Sequence, residues 1–200
     1  MSLVSFIKLF RWAQKNLKSN NKGYYEDQPK IIKLDLPLNP NYKEEKYWGY
    51  RPLSMIKNIV EHQELGEGTT QQVHAYHTSK ECHLKLGVGA PKIAYHYTIE
   101  KNGTIYHVNK DTDVVWQCKG GNLDSLGIML VGDFTGPSHI GKTYPTFTQK
   151  KSLFFLLRHL MKEHNILRVN IHGHSFYGKE NCPGYEVEDL LEEFKDSIKI

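Results

Sequence analysis

The run SLGIMLVGDF, residues 125–134, constrains the fold more than any other stretch of this chain. Its apolar residues follow one another with almost no polar alternation, so a strand built from them must be covered on both faces. Such a strand belongs at the centre of a sheet lying between helices. A sheet with one wet face would need a polar side chain at every second position.

The neighbouring patterns supply the rest of that architecture. MIKNIV, from Met55, is a β-rich run that ends at Glu61 and His62. TTQQVHAYHTSK opens with Thr69 as a helix cap, and a helix there would carry Val73, Tyr76, His77 and Lys80 on one face. IAYHYTIEKNGTIYHV, residues 93–108, reads as a hairpin in which Asn102 and Gly103 accept the positive φ angles of a tight turn. TQKKSLFFLLRHLMKEH has a helical apolar stripe at Leu153, Leu156, Leu157, Leu160 and Met161, with Thr148 near its start. RVNIHGH is a further short strand and EVEDLLEEFKDSI a closing amphipathic helix. The expected fold is α/β: a central mixed β-sheet flanked by helices on both faces, over residues 55–200. Residues 1–54 read as an N-terminal extension, a basic amphipathic helix over 1–18 followed by an irregular, Tyr- and Pro-punctuated segment with a possible short strand at Ile31–Leu34.

Two strands end in histidine, MIKNIVEH and RVNIHGH. If they lie adjacent and parallel, His62 and His174 emerge from one edge of the sheet, where α/β proteins build their ligand sites. His174 also opens HGHSFYGKENCPG, a Gly- and Pro-bounded loop that contains Cys182. Imidazole nitrogen and thiolate sulfur suit zinc, and a catalytic zinc takes three protein ligands and keeps a fourth position open. The expected ligands are His62, His174 and Cys182. Alone, His62 reads as a surface histidine at a strand end; the other two donors turn that reading towards metal. His74 and His77 read as a packed helix face, and His172, two residues from His174 on an extended segment, points the other way. Three cysteines, Cys82, Cys118 and Cys182, argue against a disulfide framework and for one thiol with a chemical task, the other two being free and semi-buried.

From about Met55 to Phe194 the chain resembles the zinc-dependent N-acetylmuramoyl-L-alanine amidases of the type 2 amidase and peptidoglycan recognition protein superfamily, phage amidases among them. NIVEHQE resembles the first strand with its zinc histidine and VHAYH the helix that follows. IAYHYTIEKNGTIY resembles the hairpin, NLDSLGIMLVGDF the central strand and GHSFYGKENCPG the last zinc loop. The resemblance implies zinc on His62, His174 and Cys182, Tyr95 as a catalytic-site residue, and hydrolysis of the amide between N-acetylmuramic acid and L-alanine in peptidoglycan. Family members commonly carry a lysine two residues before the third ligand. Here that position is Glu180, and Lys179, one place earlier, is the expected oxyanion donor, with Glu61 or Glu180 as alternative bases. The family's Trp-His after the hairpin is Trp116 and Gln117, which removes a substrate-contacting imidazole. A recognition module that binds peptidoglycan without turnover is the alternative implied by these departures.

A formal net charge of +4 is too small to suggest nucleic acid as a partner. Its distribution is uneven: Lys8, Arg11, Lys15, Lys18 and Lys22 have no acidic neighbour in the first 23 residues, so this segment is a candidate for contact with the wall or a membrane surface. The opening MSLVSFIKLFRW is interrupted by Lys8 and Arg11 and lacks a small-residue cleavage site, a poor secretory signal. Synthesis in the cytoplasm without such a signal, action on the cell wall as a phage or prophage lysin or a delivered effector, and a monomeric state are expected.

Overall fold

The computed structural model describes residues 28–42, 49–135 and 144–198. The basic helix expected over residues 1–18 lies outside them. The chain divides into two units, 1–30 and 31–200, and the second carries the architecture.

Eight strands are present among the described residues: β1 (Ile31–Lys33), β2 (Gly49–Tyr50), β3 (Asn58–Gln63), β4 (Tyr97–Ile99), β5 (Ile105–His107), β6 (Asp113–Val114), β7 (Ser125–Leu130) and β8 (Ile171–Gly173). Six form one sheet in the order β1-β5-β4-β7-β3-β8, and β2 pairs with β6 separately. Only β4 with β5 is antiparallel in the large sheet; its other pairs are parallel. β7 sits between β4 and β3 with all six residues buried, as its apolar run requires. Among the described residues three α-helices cover the sheet: α1 (Thr70–His77), α2 (Phe147–His164) and α3 (Tyr185–Ser197). Along β7, Leu126, Ile128 and Leu130 join Leu153, Leu156 and Leu157 of α2 and Val187, Leu191 and Phe194 of α3 in one core. Met129 packs on the opposite face, with Val73 of α1 and Ile93.

Local chemistry explains the boundaries. Thr69 and Gln72 form a capping box at the start of α1, side chain and backbone bonding reciprocally at 3.3 and 2.8 Å. α1 stops at His77 with Thr78 as its C-cap, whose N–H and hydroxyl donate to the His74 carbonyl at 3.0 and 2.9 Å, so Lys80 lies beyond the helix rather than on its face. α2 is capped by Thr146, with Gln149 as its box partner, rather than near Thr148, and ends at Asn165 in the left-handed region, φ 54°. In the hairpin only Gly103 takes a positive φ, 84°; its N–H donates to the Glu100 carbonyl at 2.8 Å. The connection is therefore a turn over Glu100–Gly103 closed by a left-handed glycine, one of the common hairpin solutions, rather than a two-residue turn.

Residues 31–42 and 49–54, by sequence part of the extension, enter the main unit. β1 pairs with β5 in register Ile31 to Ile105, at the edge of the large sheet. Arg51 is buried, and its Nε and Nη2 donate to the Asp111 carbonyl at 3.1 and 3.0 Å while Nη1 donates to the Asn122 carbonyl at 2.8 Å. Burial pulls the guanidinium down to about 10, offset in part by Asp111, Asp124 and Asp113. Arg51→Met should leave those carbonyls without donors and cost about 3 kcal/mol, read as a fall in the urea midpoint at constant slope.

Asp111 ties three elements together. Its carboxylate accepts from the Tyr97 hydroxyl at 2.8 Å and faces Nε2 of His107 at 3.2 Å and of His164 at 2.9 Å. Burial alone would raise its pKa, but these hydrogen bonds outweigh burial and hold the carboxyl well below the usual carboxylate range. A carboxyl depressed in the folded state contributes stability above its unfolded pKa of about 4, and that contribution is lost as pH falls. Asp111→Asn should therefore lower the melting temperature at pH 7 more than at pH 3, flattening the acid limb of the stability profile.

Candidate metal centre

β3 and β8 run side by side and parallel, with Glu61 opposite Gly173. His62, next along β3, and His174, first residue after β8, thus leave the same sheet edge, as the two histidine-ended strands suggest. The chain after His174 turns back on itself: Ser175 N–H donates to the Cys182 carbonyl at 2.6 Å and Cys182 N–H to the Lys179 carbonyl at 2.8 Å. That closure returns Cys182 to the two imidazoles. One ligand atom from each of His62, His174 and Cys182 lies within 4.8 Å of the others, and no comparable trio occurs among the described residues. Nδ1 of His62 is 3.6 Å from the Cys182 Sγ, and the His62 and His174 ring centres are 4.5 Å apart.

The electrostatics suit a divalent cation. Burial, and then His174, pushes His62 down to about 3; burial, with Lys179 nearby, lowers His174. Both imidazoles are neutral near pH 7, as metal ligands must be. Burial pushes the Cys182 thiol up to about 12, with Glu61 adding to the rise, although a backbone hydrogen bond from Gln63 opposes it. A thiolate forms there when a cation replaces the proton. Two neutral imidazoles and one thiol, at a spacing close to what two bonds of about 2.0–2.3 Å to a shared ion span, fit zinc.

These donors line a cleft of about 490 Å³ together with Tyr95, Lys179, Tyr76, His77 and Trp116. Tyr95 stands just before β4, its ring centre 5.0 Å from that of His62, and burial raises its hydroxyl well above the ordinary phenol range. The loop brings Lys179 to the cleft, whereas Glu180 lines a separate depression with Ser175 and Glu188. Glu61 shares the face of β3 with Ile59 and so points into the core beneath α3, its oxygens buried without a hydrogen-bond partner; burial, then Glu188, raises its pKa well above the usual carboxylate range. Neither glutamate reaches the cleft as a base.

His77 also borders the cleft, its Nδ1 accepting from Ala94 N–H at 3.1 Å; it stands apart from the three donors. His172 stacks on Phe176, ring centres 4.0 Å apart, away from them. Cys82 and Cys118 are free, and fully rather than partly buried. Gln117 accepts a hydrogen bond from His62 Nε2 at 2.6 Å and lines the same cleft, so the position where an imidazole is missing supports His62. Sequence reasoning missed this partner, because its only local signal is a glutamine after a tryptophan.

No curated protein matches the chain by sequence. Among solved structures it is similar to the endolysin N-acetylmuramoyl-L-alanine amidase LysCS from Clostridium intestinale URNW, at 25% identity and a TM-score of 0.61, over 84% of this chain and 96% of that one. The Ph2119 endolysin from the Thermus scotoductus MAT2119 bacteriophage Ph2119 shares the fold at 22% identity and a TM-score of 0.62, over 83% and 99% of the two chains. Drosophila PGRP-LB does so at 14% identity and a TM-score of 0.60, over 82% and 94%. The profile of a family described as N-acetylmuramoyl-L-alanine amidase matches residues 51–185. That span holds the histidine-ended strands, the hairpin and the loop that returns Cys182 to His62, and by it the chain belongs to the N-acetylmuramoyl-L-alanine amidase family.

Proposed function

We propose that this protein hydrolyses the amide between the lactyl group of N-acetylmuramic acid and L-alanine in bacterial peptidoglycan, with zinc held by His62, His174 and Cys182. The observation that carries the reading is the trio of donors, two buried and His174 half-buried, in a cleft that also presents Tyr95 and Lys179. Held by these three residues, a zinc ion would supply Lewis-acid polarisation of the scissile carbonyl and lower the pKa of the attacking water.

The chain's own residues do the rest. Tyr95 keeps its proton at neutral pH and donates a hydrogen bond to the carbonyl oxygen as negative charge develops on it. Lys179 adds positive charge at the rim. Tyr76, His77 and Trp116 give the stem peptide and sugar an apolar and imidazole-lined wall to lie against. The intact donor set beside Tyr95 favours turnover over recognition alone.

Mass spectrometry of purified walls digested by the protein tests the reading. Stem peptides with a free L-alanine amino terminus and uncut glycan strands are expected; cut glycan, or cleavage only within the peptide, would overturn it. The substrate puts the site of action at the cell wall, as a phage or prophage lysin or a delivered effector. The protein acts there as a monomer, and residues 1–23 add wall contact through their five basic side chains. Among the described residues no helix is long and apolar enough to cross a membrane. Wall pelleting of the full chain beside one lacking residues 1–30 checks the contact, and unchanged pelleting would remove it.

A further inference from the structure

We infer that Gln117 is a positioning residue that sets the tautomer of His62 and thereby aims its Nδ1 at the metal position; this rests on the zinc reading above. A chain of hydrogen bonds leads to His62 from a backbone carbonyl, which can only accept. The Ser125 hydroxyl donates to the Gly121 carbonyl at 2.5 Å, which uses its one proton. Its lone pairs then accept from the Gln117 amide nitrogen at 2.7 Å. The amide oxygen is thereby turned to His62 and lies 2.6 Å from Nε2. Such a contact needs the proton on Nε2, which leaves the lone pair on Nδ1, the nitrogen that faces Cys182 Sγ.

Reversing the amide would set its NH2 group against His62 Nε2–H and its carbonyl against a serine whose proton is already committed. The polarity of the whole relay is therefore decided at Gly121. All three side chains are buried, so water does not compete for these bonds. The sheet makes room for the relay at Gly127 of β7: a Cβ there would meet Gln117 Cγ at 2.8 Å and Cδ at 2.9 Å. A metal-ligating histidine commonly donates its second ring N–H to an acceptor that orients it, and here a neutral amide fills that role.

The test combines imidazole 15N NMR on the zinc-free protein with zinc affinity from chelator competition, for wild type, Gln117→Leu and Gln117→Glu. In wild type, His62 should carry its proton on Nε2. Gln117→Leu, which deletes the acceptor, should mix the tautomers and weaken zinc binding about ten- to a hundredfold. Gln117→Glu keeps an acceptor for His62 Nε2 and, with the Ser125 hydroxyl turned from the Gly121 carbonyl to donate to its second oxygen, should retain the tautomer and bind zinc at least as tightly as wild type. Should the leucine variant fail to fold, Ser125→Ala frees the amide to turn and should shift both readouts in the same direction by less. A folded Gln117→Leu protein with an unchanged His62 tautomer and unchanged zinc affinity would overturn the inference. If wild type takes up no zinc while the tautomer still follows residue 117, the metal reading fails and the positioning role stands.

Discussion

Cys182→Ser is expected to leave the protein folded and unable to hold zinc. The residue is 8% exposed, and the serine hydroxyl is close in size to the thiol, so the loop closed by Ser175 and Lys179 keeps its backbone hydrogen bonds. A serine hydroxyl does not ionise in this range and makes a far poorer zinc ligand than a thiolate. Two neutral imidazoles remain, and neutral ligands do nothing to balance the ion's charge in a buried site. Losing an outer-shell partner costs about ten- to a hundredfold in affinity; losing the anionic ligand should cost at least the upper end of that range. Metal analysis after dialysis should give one zinc per chain for wild type and a substoichiometric amount for the variant, with wall hydrolysis lost in proportion. A variant that retained one zinc per chain would remove Cys182 from the ligand set.

Tyr95→Phe should separate chemistry from metal binding. Phenylalanine keeps the ring that packs beside His62 and His77, with centres 5.0 and 5.6 Å away, and removes only the hydroxyl. Zinc content and thermal stability should stay at wild-type values. Turnover should fall about a hundredfold or more, as when one donor is removed from an oxyanion site, with KM little changed because the bond strengthens only as charge develops. Lys179→Ala should cost less than Tyr95→Phe. Lys179 is exposed at the rim and screened by water, whereas Tyr95 is half-buried deeper in the cleft, where burial raises its pKa. A Tyr95→Phe enzyme with full turnover would assign the oxyanion to another group.

Much of the site is legible in the chain because its parts are local. A strand that ends in histidine, a second strand that does the same, and a short loop that returns a cysteine each follow from residues close in sequence. The continuous apolar run of β7 likewise requires cover on both faces. Other parts are decided by residues far apart. Arg51 looks like part of an irregular leader until the carbonyls of Asp111 and Asn122 close around its guanidinium. Glu61 and His62 are neighbours in sequence, and only the packing of Ile59 against α2 and α3 tells which of the two faces the cleft. The place of Lys179, with Glu180 turned to another depression, depends on how the loop closes onto Ser175 and Cys182.

By itself the sequence determined the kind of fold, three candidate donors and the edge of the sheet from which two of them emerge, since hydrophobic periodicity and ligand chemistry are properties of short segments. Tertiary structure alone decided how those donors are held. The direction of the relay from Gly121 through Ser125 and Gln117 to His62, the burial that lowers the pKa of both imidazoles and raises that of the Cys182 thiol, and the proximity of Tyr95 all arise between segments that meet only when the sheet forms. Hydrogen-bond polarity and desolvation depend on which groups surround an atom in space, and that is not written in the spacing of residues along the chain.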